Sequence, residues 1–77
     1  MTNRLSELRP GQGGRVLNVG GEVMFRRRLQ EMGIVLGNPV EVLNVAPFGD
    51  PIKLRVPSYE LSIRRRDAAL VTVEIPE

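Results

Sequence analysis

The chain has 77 residues and contains neither cysteine nor histidine. A chain of this length forms one small domain, residues 1–77, near the lower size limit for a core without disulfides or metals. The missing residue types exclude disulfides, thiolate or imidazole metal sites and histidine-based general-base catalysis. The net charge is only +2, although ten of the eleven cations are arginine. This weak basic bias permits an acidic partner without demonstrating one.

No stretch approaches the roughly 20 consecutive apolar residues that span a bilayer. The N-terminus also lacks the apolar segment of a secretion signal. We therefore expect a cytoplasmic protein that is not itself inserted in a membrane.

The first twenty residues alternate turn signals with short ordered segments. Residues 5–8 predict one helical turn that packs Leu5 and Leu8 on the core, and residues 15–19 predict the first strand. The glycine-rich segment between them lacks the Lys-Ser or Lys-Thr of a phosphate-binding loop and leads into a strand instead of a helix. We therefore interpret Gly11 and Gly14 as structural turn residues.

One segment, from about residue 22 to residue 32, has helical periodicity and a clear end. Phe25, Leu29 and Met32 are spaced i, i+4 and i+7, which places three large apolar side chains on one helix face. Gly33 follows as the residue that ends a helix in the left-handed conformation. These four residues, with Gly37 further along, are predicted to serve the fold.

Three consecutive arginines cover much of the remaining helix surface. At about 100° per residue they span about 200°, so Arg28 borders the apolar face while Arg26 and Arg27 face solvent. Two interpretations stay open. One is a solvated surface on which Arg27 pairs with Glu31. The other is a docking surface for an anion or a protein, which suits the forked guanidinium group.

The middle of the chain is predicted to form strands. Residues 40–45 predict a strand, residues 46–51 a loop, and residues 52–56 and 59–64 two strands joined tightly by Pro57-Ser58. Leu54 and Leu61 are predicted core residues of this hairpin. A single register pairs apolar residues on the inner face and opposite charges on the outer face. The predicted pairs are Ile52 with Ile63, Leu54 with Leu61 and Val56 with Tyr59 on the inner face, and Arg55 with Glu60 on the outer face.

Residues 67–69 predict a helical turn capped by Asp67, and residues 71–75 predict the last strand. About five short strands and one inserted helix indicate a mainly β fold, a small, strongly bent barrel whose closure hides most strand edges. An unpaired strand at the seam of such a barrel offers an edge to a second copy, so a homo-oligomer stays open.

A second arginine cluster, residues 64–66, follows the hairpin. If the strand continues through it, the outer side chains form a basic face made of Lys53, Arg55, Arg64 and Arg66. Such a face suits a small RNA-binding barrel of the ribosomal KOW type. Proteins that bind single strands usually add exposed aromatic side chains for stacking, and Phe48 is the only aromatic predicted to be exposed. Nucleic acid is therefore the disfavoured partner.

The remaining residues suggest no catalysis. The nine acidic residues are scattered, with no pair at a spacing typical of a glycosidase and no oxygen cage for a metal. The serines have no base to activate them. The sequence predicts no enzyme, no cofactor and no metal site, and it favours an interaction module.

Several segments, in order, resemble the FeoA family, and the resemblance covers residues 5–75. Those segments are residues 8–11 (LRPG), 28–33 (RLQEMG), 46–52 (APFGDPI) and 59–65 (YELSIRR), together with Gly14, Gly37 and Ala68. Ser58 departs from the pattern, since it stands where the family commonly has glycine and serine disfavours a positive φ.

The resemblance implies an SH3-like barrel with a helix inserted after the first strand. It also implies a non-enzymatic accessory role in bacterial ferrous iron uptake, exerted by binding FeoB, a membrane permease with a GTP-hydrolysing cytoplasmic domain. The protein would then lie at the inner membrane through FeoB. The family is often labelled as binding transition metals, for which this chain lacks histidine and cysteine ligands. The C-terminal domain of iron-dependent repressors shares the fold and gives an alternative relation.

The predicted docking residues combine the helix with the loop that follows residue 45. On the helix they are Arg26, Arg27 and Glu31, and in the loop they are Phe48 and Asp50.

Overall fold

The structure is a computed structural model that describes residues 1–76. It contains six strands, two short α-helices and one 3-10 turn. In chain order these are β1 (Thr2–Arg4), the 3-10 turn (Leu5–Glu7), β2 (Gly13–Val19), α1 (Val23–Glu31), β3 (Pro39–Val45), β4 (Ile52–Arg55), β5 (Glu60–Ile63), α2 (Arg65–Ala68) and β6 (Val71–Glu74).

The six strands form one antiparallel sheet in the order β1-β6-β2-β3-β4-β5. The sheet bends so that α2, which follows the edge strand β5, packs against the 3-10 turn that follows the other edge strand β1. The two edges are thereby brought together, as the barrel prediction requires. Bulges in β2 between Val16 and Asn18 and in β3 between Val42 and Asn44 fit this curvature, since a bulge bends its strand.

The sheet has one strand more than the sequence predicted. Thr2–Arg4 pairs with the outer side of β6, with Asn3 opposite Val73. Three residues carry too little alternation to reveal a strand, because only pairing with a distant segment defines it. The neighbouring prediction is confirmed, since Leu5–Glu7 forms a single turn and both Leu5 and Leu8 are buried.

The predicted hairpin register is confirmed. Ile52 lies opposite Ile63, Leu54 opposite Leu61 and Arg55 opposite Glu60. Among residues 1–76 a positive φ occurs only at glycines, so the connection at Ser58 forms without the conformation that a glycine would supply. Leu54 is fully buried, whereas Leu61 is half-buried because β5 is an edge strand.

The core is aliphatic and lies inside the bent sheet. It gathers side chains from the 3-10 turn, every strand from β2 to β6, α1 and the segment after α1, with Phe25 and Met32 packed against it. The fully buried members include Leu5, Ile34, Ile52, Leu54 and Val73.

Helix α1 ends in the manner that Gly33 predicts. Gly33 has a φ of +97°. Its N–H donates to the Gln30 carbonyl at 3.0 Å, and the Ile34 N–H donates to the Leu29 carbonyl at 2.9 Å. These two bonds are those of a Schellman motif, and its usual apolar contact is available because Leu29 and Ile34 are both buried. The chain reversal and the burial of the helix end therefore depend on the same four residues, which are Leu29, Gln30, Gly33 and Ile34.

Two predictions at the end of the hairpin are wrong. The helical turn begins at Arg65, so Arg66 lies on α2 and not on a strand beside Arg64, and Arg64 instead of Asp67 is its N-cap residue. The cap comes from a distant loop, because the Oδ1 atom of Asp50 accepts the Arg65 N–H at 3.0 Å. A carboxylate 15 residues away satisfies this helix N-terminus, which local sequence cannot reveal.

Gly14 lies where strands β2 and β6 approach each other closely. A Cβ atom at this position would lie 1.9 Å from the carbonyl oxygen of Glu74. Only a residue without a side chain fits there without moving one of the two strands.

We expect Gly14→Ala to lower the free energy of unfolding by about 1–3 kcal/mol, as overpacked sites do, measured by urea denaturation. Gly20→Ala is the matched control, because a Cβ there would lie 3.5 Å from the nearest atom, an ordinary contact. The control should change stability by about 0.5 kcal/mol or less. Equal losses in both variants would contradict the close approach at Gly14.

Candidate functional site

Helix α1 presents its three arginines to solvent. Leu29 is buried on the opposite face, while Arg26, Arg27 and Arg28 are all exposed. Within residues 1–76 their side chains make no hydrogen bond or ion pair, so the Arg27 pair with Glu31, part of one of the two open interpretations, does not form. Three cations on one helical turn therefore keep their full capacity for an external partner.

A groove of about 310 Å³ runs beside α1 and has a mixed lining. We call it the α1 groove. Its polar side chains come from α1 and the end of β2, and its aliphatic ones from β2, α1 and the segment after α1. The lining residues are Asn18, Arg26, Arg27 and Gln30, and Val19, Val23, Ile34 and Leu36.

The other side of α1 faces α2. A smaller pocket there is lined by Phe25, Leu29 and Met32 with Arg28, Glu31 and Asp67. Arg28 therefore borders the apolar face, as its position next to Leu29 predicted. Arg26 and Arg27 belong to one side of the helix and Arg28 to the other.

Tyr59 fastens the C-terminal end of α1 to the hairpin. Its hydroxyl donates to the Met32 carbonyl at 2.5 Å, one of the carbonyls that a helix end leaves without a helical partner. The pairing of Val56 with Tyr59 forms as predicted, with the Val56 N–H donating to the Tyr59 carbonyl at 3.0 Å. The ring is nevertheless 46% exposed. The prediction that Tyr59 points into the core is therefore wrong, because its hydroxyl reaches the helix end instead.

The loop 46–51 presents Phe48, which is fully exposed. The loop itself is braced by hydrogen bonds. The Gly49 N–H donates to the Ala46 carbonyl at 2.7 Å, and the Arg65 guanidinium donates to the Gly49 carbonyl at 3.2 Å. Phe48 therefore projects from an ordered turn held against α2.

Asp50 already has partners within the chain. It accepts the Arg65 N–H and lies 3.9 Å from the guanidinium of Arg64. Its first role is to cap α2, so a partner would meet a carboxylate that is largely satisfied.

The structure separates the two groups of predicted docking residues. Loop 46–51 follows Val45, which pairs with Ile52 at one end of β4, whereas the connection 56–59 follows Arg55 at the other end. Tyr59 ties α1 to that second end. The C-terminal end of α1 is therefore fastened at the opposite end of the hairpin from the loop that carries Phe48 and Asp50, while one side of the helix faces α2.

The alternative basic face is divided and largely neutralised. Lys53 lies 3.3 Å from Glu60, and Arg55 lies 3.2 Å from Glu41 and 3.4 Å from Glu60. Arg64 pairs with Asp50, and Arg66, on α2, lies 4.0 Å from Asp67. Hydrogen bonding and charge attraction from Lys53, followed by those from Arg55, lower the pKa of Glu60. All four cations thus face carboxylates of the chain itself, Lys53 and Arg55 at the shorter distances.

Sequence reasoning missed an exposed aliphatic rim at the start of α1. Met24 is 74% exposed, and Val23 and Leu36 are each 59% exposed. Periodicity finds the apolar residues that face the core, but it does not flag apolar residues outside that face. The signal was the apolar pair Val23-Met24, which falls outside the spacing of Phe25, Leu29 and Met32.

The acidic residues form no metal site in the part of the chain that the structure describes. No group of three or more acidic side chains converges within residues 1–76. Neither helix in that range has the length and apolar character of a membrane span.

Comparison with known proteins points to one family. The FeoA domain family matches residues 3–75 of this chain. A curated relative from Porphyromonas gingivalis, a fusion of Fe(2+) transport protein A with the Fe(2+) transporter FeoB, is 43% identical over 72 residues. The match covers 94% of this chain but only 8% of the fusion protein, so the chain corresponds to a small part of that relative.

Solved structures agree with this match. An iron uptake regulatory protein, FeoA, is 33% identical with a TM-score of 0.91, over 99% of this chain and 100% of that one. The zinc complex of Stenotrophomonas maltophilia FeoA, described as a procaryotic SH3 domain protein, is 31% identical with a TM-score of 0.77, over 96% and 89%. The predicted mainly β, SH3-like fold is confirmed.

A manganese-dependent transcriptional repressor also superposes, with a TM-score of 0.88 at 21% identity. The match covers 97% of this chain and 42% of the repressor. At this identity the likeness concerns the fold alone, which agrees with the fold relation to repressor domains that the sequence implied.

We expect Tyr59→Phe to loosen the C-terminal end of α1 while leaving the rest of the fold in place. The loss of one hydrogen bond should lower the free energy of unfolding by about 0.5–1.5 kcal/mol. Amide hydrogen exchange should quicken most at Gly33 and Ile34, which follow the Met32 carbonyl. Unchanged exchange at these two amides would contradict the role assigned to the hydroxyl.

The pairing of Glu60 gives a prediction about its titration. In the Lys53→Gln variant the pKa of Glu60 should rise toward its ordinary value, and by more than in Arg55→Gln, because Lys53 is the larger cause. Carboxyl NMR shifts against pH measure both. Since the folded pKa is depressed, the pair stabilises the fold above the unfolded pKa and loses that effect as pH falls through the folded pKa. An unchanged Glu60 pKa in both variants would contradict the pairing.

Proposed function

This chain belongs to the FeoA family of ferrous iron transport, and on that premise we propose that it is a non-enzymatic adaptor that binds a FeoB-type ferrous iron permease. The fusion of the two proteins in the Porphyromonas gingivalis relative supports this partner. A fused domain stays at high effective concentration near its partner without any strong contact. A specific contact between the two also needs a complementary surface on this domain.

The observation that carries the proposal is the exposed and unpaired state of the α1 arginines. Lys53 and Arg55, by contrast, each lie within 3.4 Å of a carboxylate. Arg26 and Arg27 have no such partner within residues 1–76. An arginine fork binds a carboxylate in two parallel hydrogen bonds, so this surface suits an acidic patch on the permease.

The remaining docking residues take different places in this proposal. Glu31 is exposed at the C-terminal end of α1 and would orient the contact by its opposite charge. Phe48, on the loop 46–51, would form a separate contact, as an exposed aromatic on an ordered turn can fill a partner's pocket. Asp50 would support Phe48 indirectly, by holding the loop against Arg65.

We expect Arg26→Glu/Arg27→Glu to weaken binding to the purified, detergent-solubilised permease about tenfold or more, equivalent to about 1.4 kcal/mol or more. Reversed charge would face the acidic patch with like charge. Binding is measured by pull-down and by titration of immobilised permease. Circular dichroism confirms that the variant is folded.

The matched control is Arg4→Glu/Arg9→Glu, which makes the same change in net charge at two exposed arginines outside the proposed contacts. It should bind within about twofold of the unmodified protein, because exposed charges outside a contact contribute little. Undiminished binding by the folded α1 variant would refute the α1 surface. No binding by the unmodified protein would refute the adaptor function itself.

A further inference from the structure

The α1 groove combines a donor-rich lining with an aliphatic rim. Its polar side chains are two guanidinium groups and two amides, from Arg26, Arg27, Asn18 and Gln30. None of the four makes a hydrogen bond or ion pair within residues 1–76. The two acids of this helix region, Glu22 and Glu31, do not line the groove. The groove is therefore positively charged and rich in free donors.

Guanidinium and amide donors suit an oxyanion with several acceptor atoms. Arginine binds phosphate through two parallel hydrogen bonds, and an amide nitrogen can add a further donor. Nothing in the groove supplies an aromatic face for a base. The lining thus favours a phosphate group without an attached nucleobase.

The rim beside the groove is aliphatic and protrudes. Val23 and Leu36 line the groove while each stays 59% exposed, and Met24, next to Val23, is 74% exposed. Several large exposed apolar side chains in one patch indicate a binding surface more strongly than a single exposed residue does. Flexible aliphatic side chains are compatible with hydrocarbon on the partner.

A ligand that matches both parts carries a phosphate with alkyl chains beside it. A peptide would match less well, because its apolar anchor would have to enter a groove lined by guanidinium and amide groups and would desolvate them. A membrane surface places its phosphates between the arginines and its acyl region against the protruding rim. It leaves the guanidinium groups at the level of the headgroups.

We propose that the α1 groove and its rim, formed by Val23, Met24 and Leu36, bind the surface of an anionic phospholipid membrane. The protein would lie on the membrane and not span it. Such binding combines shallow burial of apolar side chains with attraction of cations to anionic lipid. This inference names a second partner for the arginine surface and does not require the permease.

Vesicles without any permease test the proposal. The chain contains no tryptophan, so Met24→Trp introduces a single fluorescent reporter at the rim. Its emission should shift to the blue on vesicles containing phosphatidylglycerol and stay unchanged on pure phosphatidylcholine. Phe48→Trp is the matched reporter on the loop 46–51, outside the α1 groove, and its emission should stay unchanged on both.

A pair of charge-matched variants locates the binding site. Arg26→Gln/Arg27→Gln should lose about 30-fold in vesicle affinity by co-sedimentation, at about fivefold for each arginine. Arg64→Gln/Arg66→Gln removes the same net charge and should lose less than about threefold, because only arginines near the membrane surface contribute. The affinity of the unmodified protein should fall as salt is added.

Several results would overturn the proposal. Equal losses in the two double variants would show attraction to net charge alone. A blue shift of the Met24→Trp reporter with inorganic phosphate alone would show a free-anion site. A shift with poly-L-glutamate but not with vesicles would assign the groove to an acidic protein. Because the vesicle and permease assays are separate, failure of one leaves the result of the other interpretable.

Discussion

The end of α1 is the constraint on which the rest of the structure depends. The Schellman hydrogen bonds at Gly33 reverse the chain, and Leu29 and Ile34 are buried beside them. At the same end of the helix, the Tyr59 hydroxyl donates a hydrogen bond to the Met32 carbonyl. The helix is therefore held mainly by its C-terminal half. Its first turn, by contrast, carries exposed apolar side chains. This anchoring fixes the position of the exposed helix surface on the barrel.

Charged side chains near the loop 46–51 have partners within the chain, whereas the arginines of α1 do not. At the loop 46–51 end, Asp50 caps α2 and Arg65 braces the loop, so charged groups serve the fold. At the α1 end, the arginines contact no acid within residues 1–76. Surface ion pairs add little stability, so the difference matters less for folding than for what each end can bind. Unpaired cations leave the α1 end available for carboxylate or phosphate.

Local patterns predicted most of the fold. The spacing of Phe25, Leu29 and Met32, the glycine stop and the alternation of the hairpin each involve nearby residues, and all three were confirmed. The errors concern contacts between distant segments: strand β1 pairs with β6, and Asp50 caps a helix 15 residues away. The orientation of Tyr59 failed for the same reason, because its partner is the Met32 carbonyl, 27 residues earlier.

The sequence by itself determined the class of the protein: a mainly β domain of the FeoA type, without histidine or cysteine, with three consecutive arginines on the surface of its one long helix. It did so because composition, periodicity and turn residues act locally. Only the tertiary structure decided which charged side chains form ion pairs and which residues lie on the same surface. It paired Lys53 and Arg55 with acids, moved Arg66 onto α2 and fastened the C-terminal end of α1 at the end of the hairpin away from the Phe48 loop. Such outcomes depend on distances between segments that are remote in the chain.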